Sequence, residues 1–514
     1  MDKSAGYGLH TRFLRGLALA PEGVAVRTGE EALTYRELHG RALAWGGELA
    51  AAGARAVGVL AGKGPVAYPA LLAALYAGAA VVPLRPDFPA ARTRQILRAS
   101  GAGVVIADRA SLKVLADVLD GTDDIAVLVP DAEDGDEIPG RPVRPEAGRA
   151  LTAPAEVKPG DTAYLLFTSG STGVPKGVVL THGGFEHYFR LVDERYGLGP
   201  TDVVSQAFDL NFDCAVFDVF AAWGAGATSV PVPAHAYRDL PAFIAGQGLT
   251  VWFSTPSVID LVRRTGSLGA GRMPALRWSL FAGEALKTRD AADWQAAAPG
   301  SALENLYGPT ELTVTITVHR WAGEHSEAAS VNGLVPIGAV HPGHHHLLLG
   351  EDGEPTAVEG ELCVSGPQLA AGYVDPRNET GAFFEREGRR YYRTGDRVRR
   401  LDGKELIYLG RRDAQVQVQG WRVELAEVEH ALRDCRVADA VAVAVTGASG
   451  TELFAFYTGA EVPTVELVRR LRGLLPAAVL PKHFHRLTEF PLNTNRKVDR
   501  LRLAARAAEL LQAR

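Results

Sequence analysis

The chain has 514 residues, more than one compact core holds, so two or more domains are expected. Its 47% hydrophobic and 22% charged content is that of a soluble globular protein, and a net charge of −6 without a long basic block argues against nucleic acid as a partner. Cys214, Cys363 and Cys435 are scattered, which fits neither a disulfide framework nor a zinc site and suits a reducing cytoplasm.

The N-terminal stretch is not a signal peptide, because its apolar part is short and broken by charges. Ala67–Leu84 is apolar over nearly the length of a membrane span, but Pro69, Gly78 and Pro83 interrupt it. A buried helix followed by a buried strand is the expectation, with no membrane partner. Val57–Leu60, Val104–Ala107, Ala126–Val129, Ala163–Phe167, Thr228–Val232 and Thr250–Ser254 read as short buried strands. Tyr35–Ala52, Val66–Ala77 and Asp239–Gly246 read as helices between them, and Asp131–Pro145 as an acidic surface loop. That alternation predicts α/β layers with much parallel sheet. From Arg411 the pattern changes. Val423–Leu432 and Val465–Leu475 have helical periodicity, while Ala438–Thr446 and Glu452–Thr458 alternate like strands. The expected division is therefore a large multi-layer α/β domain over 1–410 and a small α+β domain over 411–514.

The most telling stretch is Tyr164–Gly177, YLLFTSGSTGVPKG. An apolar strand opens into Thr168, Ser169, Gly170, Ser171, Thr172 and Gly173. Glycine lets the backbone approach an anion, and the hydroxyls and free N–H groups can donate to phosphate oxygens. Lys176 adds a positive charge, Pro175 stiffens the exit, and Gly177–Leu180 resumes strand. No G-x-x-x-x-G-K-[ST] spacing fits, so this is a polyphosphate loop of another kind. A Ser/Gly linker would not be bracketed by two apolar strands in this way.

The loop resembles the phosphate loop of the adenylate-forming superfamily, which contains nonribosomal-peptide adenylation domains, acyl-CoA synthetases and luciferases. Further motifs resemble that superfamily in the same order: Leu33–Leu38, Ala77–Leu84, Asn305–Glu311, Tyr392–Asp396, Gly410–Val416 and Pro491–Arg500. Such enzymes join a carboxylate to the α-phosphate of ATP, release pyrophosphate, and pass the acyl group to a thiol. The resemblance implies ATP and Mg²⁺ with no prosthetic group. It places Glu311 on Mg²⁺, although a glutamate after a Pro-Thr turn is also a common helix start. Thr168 and Lys176 would act on the phosphates, and Gly308 and Thr310 would flank the nucleotide. Tyr307 would stack on adenine with Asn305 at its edge, and Asp396 would hold the ribose with Arg411 nearby. Lys497 would bridge carboxylate and α-phosphate, and Asp413 would be the hinge on which the small domain turns. Arg496 stands where the family usually has glycine, and Gln417 and Gln419 stand where many relatives are basic.

The acyl pocket is read from Phe208–Phe220. Amino-acid-activating relatives place an aspartate after phenylalanine here to pair the substrate ammonium, and Asp213 fits. A carboxylate in a pocket calls for a cationic ligand. A helix-capping role for Asp213 is the plainer alternative, and Asp209 repeats the Phe-Asp pair. The other matched positions are Cys214, Phe217, Phe253, Leu280, Ala282, Leu306, Val314 and Thr315. Phe217, Phe253 and Leu306 are bulky, which implies a small neutral amino acid: alanine, glycine or serine. The segments Val251–Ser257 and Phe281–Glu284 also resemble D-alanine–carrier ligases. His341–His346 looks like a metal cluster, but no Cys or carboxylate is spaced to complete a zinc site. No phosphopantetheine-bearing segment follows, so the acceptor thiol is expected in trans, on an acyl or peptidyl carrier protein or coenzyme A. The alternatives are a β-amino-acid activator and an acyl-CoA or aryl-CoA synthetase.

Overall fold

The computed structural model describes residues 7–29, 31–120, 124–169, 174–411, 415–447, 450–491 and 498–512. The chain forms two compact units. One comprises Met1–Pro86, Leu97–Phe167 and Gly177–Gly410, and the other Asp87–Ile96, Thr168–Lys176 and Arg411–Arg514.

Among the described residues the larger unit is organised on three sheets. In a nine-stranded sheet, Val203–Gln206, Val251–Ser254, Trp278–Phe281 and Ala302–Tyr307 run parallel side by side. Antiparallel Thr317–Arg320 and Ala339–Val340 extend it past the last of these. The parallel strands are buried along most of their length, mainly by apolar residues, with Ser205, Gln206, Ser254, Ser279, Glu304 and Asn305 as buried polar members. An eight-stranded sheet sets Thr162–Thr168 beside Ala80–Leu84 on one side and Lys176–Thr181 on the other. The third, antiparallel sheet carries Glu359–Ser365 against Arg389–Arg400. The expected strands and helices of this unit form within about two residues of the bounds read from sequence. Asp131–Pro145 differs, since Arg141–Val143 adds a parallel edge strand to the second sheet.

Ala67–Leu84 folds as the helix Ala67–Tyr76 and the strand Ala80–Leu84, turned at Gly78 with φ 71°. Every residue of both elements is buried. Among the described residues no helix is long and apolar enough to cross a membrane. The first superfamily motif has a simple local cause. Thr34 caps the helix Tyr35–Ala51, accepting from Glu37 N–H, while the Glu37 carboxylate accepts from Thr34 N–H at 2.8 Å.

In the smaller unit, Asp439–Gly447, Gly450–Thr458 and His483–Arg486 form one sheet, accompanied by the helices Leu425–Asp434, Thr464–Leu471 and Arg500–Gln512. The helix expected over Val423–Leu432 begins only at Leu425. Trp421–Glu424 is instead a strand, paired in a hairpin with Gln415–Val418. Its two-residue turn, Gln419 at φ 50° and Gly420 at φ 82°, has the positive φ pair that matches strand twist.

Candidate active site

The strand Ala302–Tyr307 delivers Asn305, Leu306 and Tyr307 and then breaks at Gly308-Pro309. A Cβ on Gly308 would lie 2.6 Å from Thr315 Cα, so only glycine allows the chain to fold back on itself here. The returning turn is strained. Thr313 and Val314 have φ of 53° and 71°, uncommon for β-branched residues.

Around this turn the larger unit gathers most of the predicted site residues it contains. Tyr307 donates its hydroxyl proton to Asp396 at 2.6 Å, joining the expected adenine and ribose residues. Asp396 is fixed in turn: its N–H donates to Thr394 Oγ1, and Thr394 donates to Leu362 O. Glu361 accepts from Gly395 N–H and pairs with Arg393. Asn305 donates its amide hydrogens to Val335 O and Pro336 O, so any contact with a base falls to Oδ1. Glu311 is 1% exposed and accepts from the Tyr373 hydroxyl at 2.7 Å. A buried carboxylate of this kind suits one of the few oxygen ligands that magnesium takes from protein beside phosphate.

Asp213 is the first residue of the helix Asp213–Ala225, whose N-cap is Phe212. The Asp213 carboxylate accepts from Thr310 and Cys214, and burial pushes its pKa up from 3.8 to about 6. Cys214, Phe217, Phe253, Leu280, Ala282, Leu306 and Val314 belong to one continuous core, with the Phe217 and Phe253 rings 5.0 Å apart, edge to face. Thr315 hydrogen-bonds the buried Tyr188, whose phenol is raised by burial. Asp209 has a different setting. It is half-exposed and paired with Arg85, with Lys63 Nζ at 3.8 Å, so its charge is already compensated.

The remaining predicted residues divide between the described and undescribed parts of the chain. Thr168 ends one strand and Lys176 begins the next, while Arg411 ends the strand Leu406–Arg411. Gly170, Ser171, Thr172, Gly173, Asp413 and Lys497 lie outside the described residues. In the histidine run, His345 opens a strand, and His344 packs edge to face on His187 at 5.0 Å. Among the described residues no three His, Cys, Asp or Glu side chains converge as a metal site would require. Sequence reasoning missed Tyr373, Tyr188 and Gln368. Their partners are far away along the chain, and nothing in the local pattern marks them.

A family model described as AMP-binding enzyme matches residues 15–374. An L-proline–[L-prolyl-carrier protein] ligase of Streptomyces coelicolor is 36% identical over 498 residues, which cover 92% of each chain. The crystal structure of IdnL7 is 64% identical, with a TM-score of 0.78, covering 98% of this chain and 99% of that one. The Vibrio cholerae adenylation domain AlmE, solved with glycyl-adenosine-5′-phosphate, is 27% identical with a TM-score of 0.86 over 99% of both chains. With the buried Glu311, the Tyr307–Asp396 pair and Asp213 assembled on this fold, the chain belongs to the AMP-binding enzymes, as an amino acid–carrier protein ligase of the kind found in nonribosomal peptide synthetases.

Proposed function

We propose that this ligase adenylates a small neutral amino acid, such as alanine, glycine or serine, and transfers it to the phosphopantetheine thiol of a carrier protein. The observation that carries the reading is Asp213, a carboxylate destabilised by burial beside an apolar, aromatic lining. A substrate ammonium would relieve that cost. Asp209 is a poorer partner because Arg85 already neutralises it. Phe217, Phe253 and Leu306 leave little room beyond the substrate α-carbon. The proline ligase and the glycyl-adenylate complex of AlmE are precedents for small substrates among similar proteins.

In this reading the substrate carboxylate attacks the α-phosphorus of ATP and pyrophosphate leaves. The carrier thiol then attacks the adenylate carbonyl and AMP leaves. Tyr307 and Asp396 hold the nucleoside, while Thr168, Lys176 and the hydroxyls between them hold the phosphates. Glu311 is a fitting ligand for magnesium, which when bound offsets phosphate charge. Lys497 supplies the cation where two anions must meet. Asp213 orients the amino acid through its ammonium, so the carboxylate points at phosphorus.

The test is amino-acid-dependent ATP–pyrophosphate exchange across the twenty amino acids, a few β-amino acids and simple carboxylic acids. Glycine, alanine or serine is expected to lead. A leading response from a carboxylic acid without an amine would overturn the reading.

A further inference from the structure

The strained turn from Leu312 to Thr315 is held by one fully buried side chain. Gln368 follows the strand Glu359–Ser365 and is 0% exposed. Its Nε2 donates to Leu312 O at 3.1 Å, Thr313 O at 3.1 Å and Thr315 O at 2.8 Å. Three carbonyl acceptors can be met only by the amide nitrogen, so the remaining atom is Oε1. His341 Nδ1 lies 3.2 Å from that oxygen and must therefore carry the proton. His341 also binds the end of the turn, donating its N–H to Ile316 O at 2.8 Å. The contact is reciprocal. Thr313 Oγ1 donates to Gln368 O at 2.7 Å, and Gln368 N–H donates to His344 Nε2 at 3.3 Å. Two residues further on, Ala370 N–H donates to Glu311 O at 2.9 Å.

We infer that Gln368, braced by His341 and His344, is a positioning residue for amino-acid selection. The inference rests on the reading of Val314 and Thr315 as acyl-pocket residues. A turn with two β-branched residues at positive φ does not hold that shape unaided, since extended or helical conformations are cheaper. The carboxamide opposes the alternatives by engaging the carbonyl oxygens of Leu312, Thr313 and Thr315, one of its two amide hydrogens being shared. It thereby fixes where Val314 and Thr315 stand, and so where the pocket ends. The histidine run, which the sequence reading sets aside as a zinc site for want of a spaced Cys or carboxylate, gains a role of another kind. Two of its members orient the glutamine.

Gln368→Met keeps length and removes every donor. Gln368→Asn is shorter and cannot reach all three carbonyls. His341→Ala leaves the glutamine in place but unbraced. Each is to be assayed by pyrophosphate exchange with glycine, L-alanine, L-serine, L-proline and L-valine, together with melting temperature. The expected result for Gln368→Met is a KM for the best amino acid raised about tenfold, with the preference ratio between best and second-best compressed about fivefold or more. The KM for ATP should stay within about twofold. His341→Ala should shift the same quantities in the same direction by less. A residue that only supports the fold would lower melting temperature and active fraction while KM and ranking stayed unchanged, and that result would overturn the inference. If Gln368→Met does not fold, Gln368→Asn and His341→Ala decide by the same criterion. A wild-type protein inert with all five amino acids would remove the acyl-pocket reading itself. An active wild type whose variants keep its KM and ranking would remove only the role of Gln368.

Discussion

At the scale of single residues, Asp213 sets affinity against stability. Its folded pKa of about 6 exceeds the ordinary 3.8, so between those values the native state binds more protons than the unfolded chain. Stability therefore falls as pH rises through that window and does not return above it, a deficit on the order of 3 kcal/mol at most. Asp213→Asn should melt at a higher temperature than wild type at pH 8 without substrate, and the difference should vanish below about pH 4. The same variant should lose amino-acid-dependent pyrophosphate exchange and any thermal shift on adding amino acid. A variant that melts no higher yet still activates the substrate would place the ammonium partner elsewhere. Asp213 was visible in the sequence because the Phe-Asp pair resembles the motif by which amino-acid-activating relatives hold the substrate ammonium; local pattern alone allowed a helix cap equally. Its donor Thr310 was visible only as part of a nucleotide motif. No spacing rule connects positions so far apart on the chain, and the Gln368 clamp escaped sequence reading for the same reason.

At the scale of elements, some family motifs are local structure and others are site. Leu33–Leu38 is the capping box of a long helix. Thr34→Ala should cost about 1 kcal/mol of stability and leave exchange kinetics unchanged, checked by urea denaturation and a steady-state assay. The neighbouring strands Val251–Ser254, Trp278–Phe281 and Ala302–Tyr307 behave differently. Their register sets Phe253 beside Leu280, and Leu306 follows on the third strand. Phe253→Ala or Leu306→Ala should move preference toward valine or larger side chains. Each methylene that fills the new space is worth about 0.8 kcal/mol, so two or three should change relative kcat/KM by roughly ten- to a hundredfold. Loss of stability with an unchanged ranking would show that these side chains only fill the core. The strands and helices that were read in the larger unit were legible because buried parallel strands are short apolar runs between helices; Ala302–Tyr307, with Glu304 and Asn305 inside it, gives no such run. The hairpin at Gln415–Glu424 was not. Its turn needs positive φ at Gln419, a residue that carries no such signal, and Val423 suited a helical reading equally well.

At the scale of the whole molecule, the two units divide the predicted machinery. Asp213, Tyr307, Glu311 and Asp396 belong to the larger unit, while Asp413 and Lys497, outside the described residues, fall in the C-terminal domain expected from sequence. Chemistry gives such a division a purpose. Adenylation brings a carboxylate to a polyphosphate and needs a cation between them, whereas thiol transfer begins from a nearly neutral acyl centre and needs none there. If one site serves both steps, the cation should be required for the first alone. Lys497→Ala should therefore abolish pyrophosphate exchange, losing about 3 kcal/mol or more of transition-state stabilisation, a fall of at least about a hundredfold. The same variant, given pre-formed aminoacyl adenylate and a phosphopantetheinylated carrier protein, should form the thioester at close to the wild-type rate. Arg496 provides a control. Any residual exchange in the Lys497→Ala variant would come from Arg496 as a second cation next in sequence, and the Lys497→Ala, Arg496→Gly pair would then fall further. Equal losses in both half-reactions would mean that Lys497 supports the smaller unit as a whole and is not confined to the phosphate step.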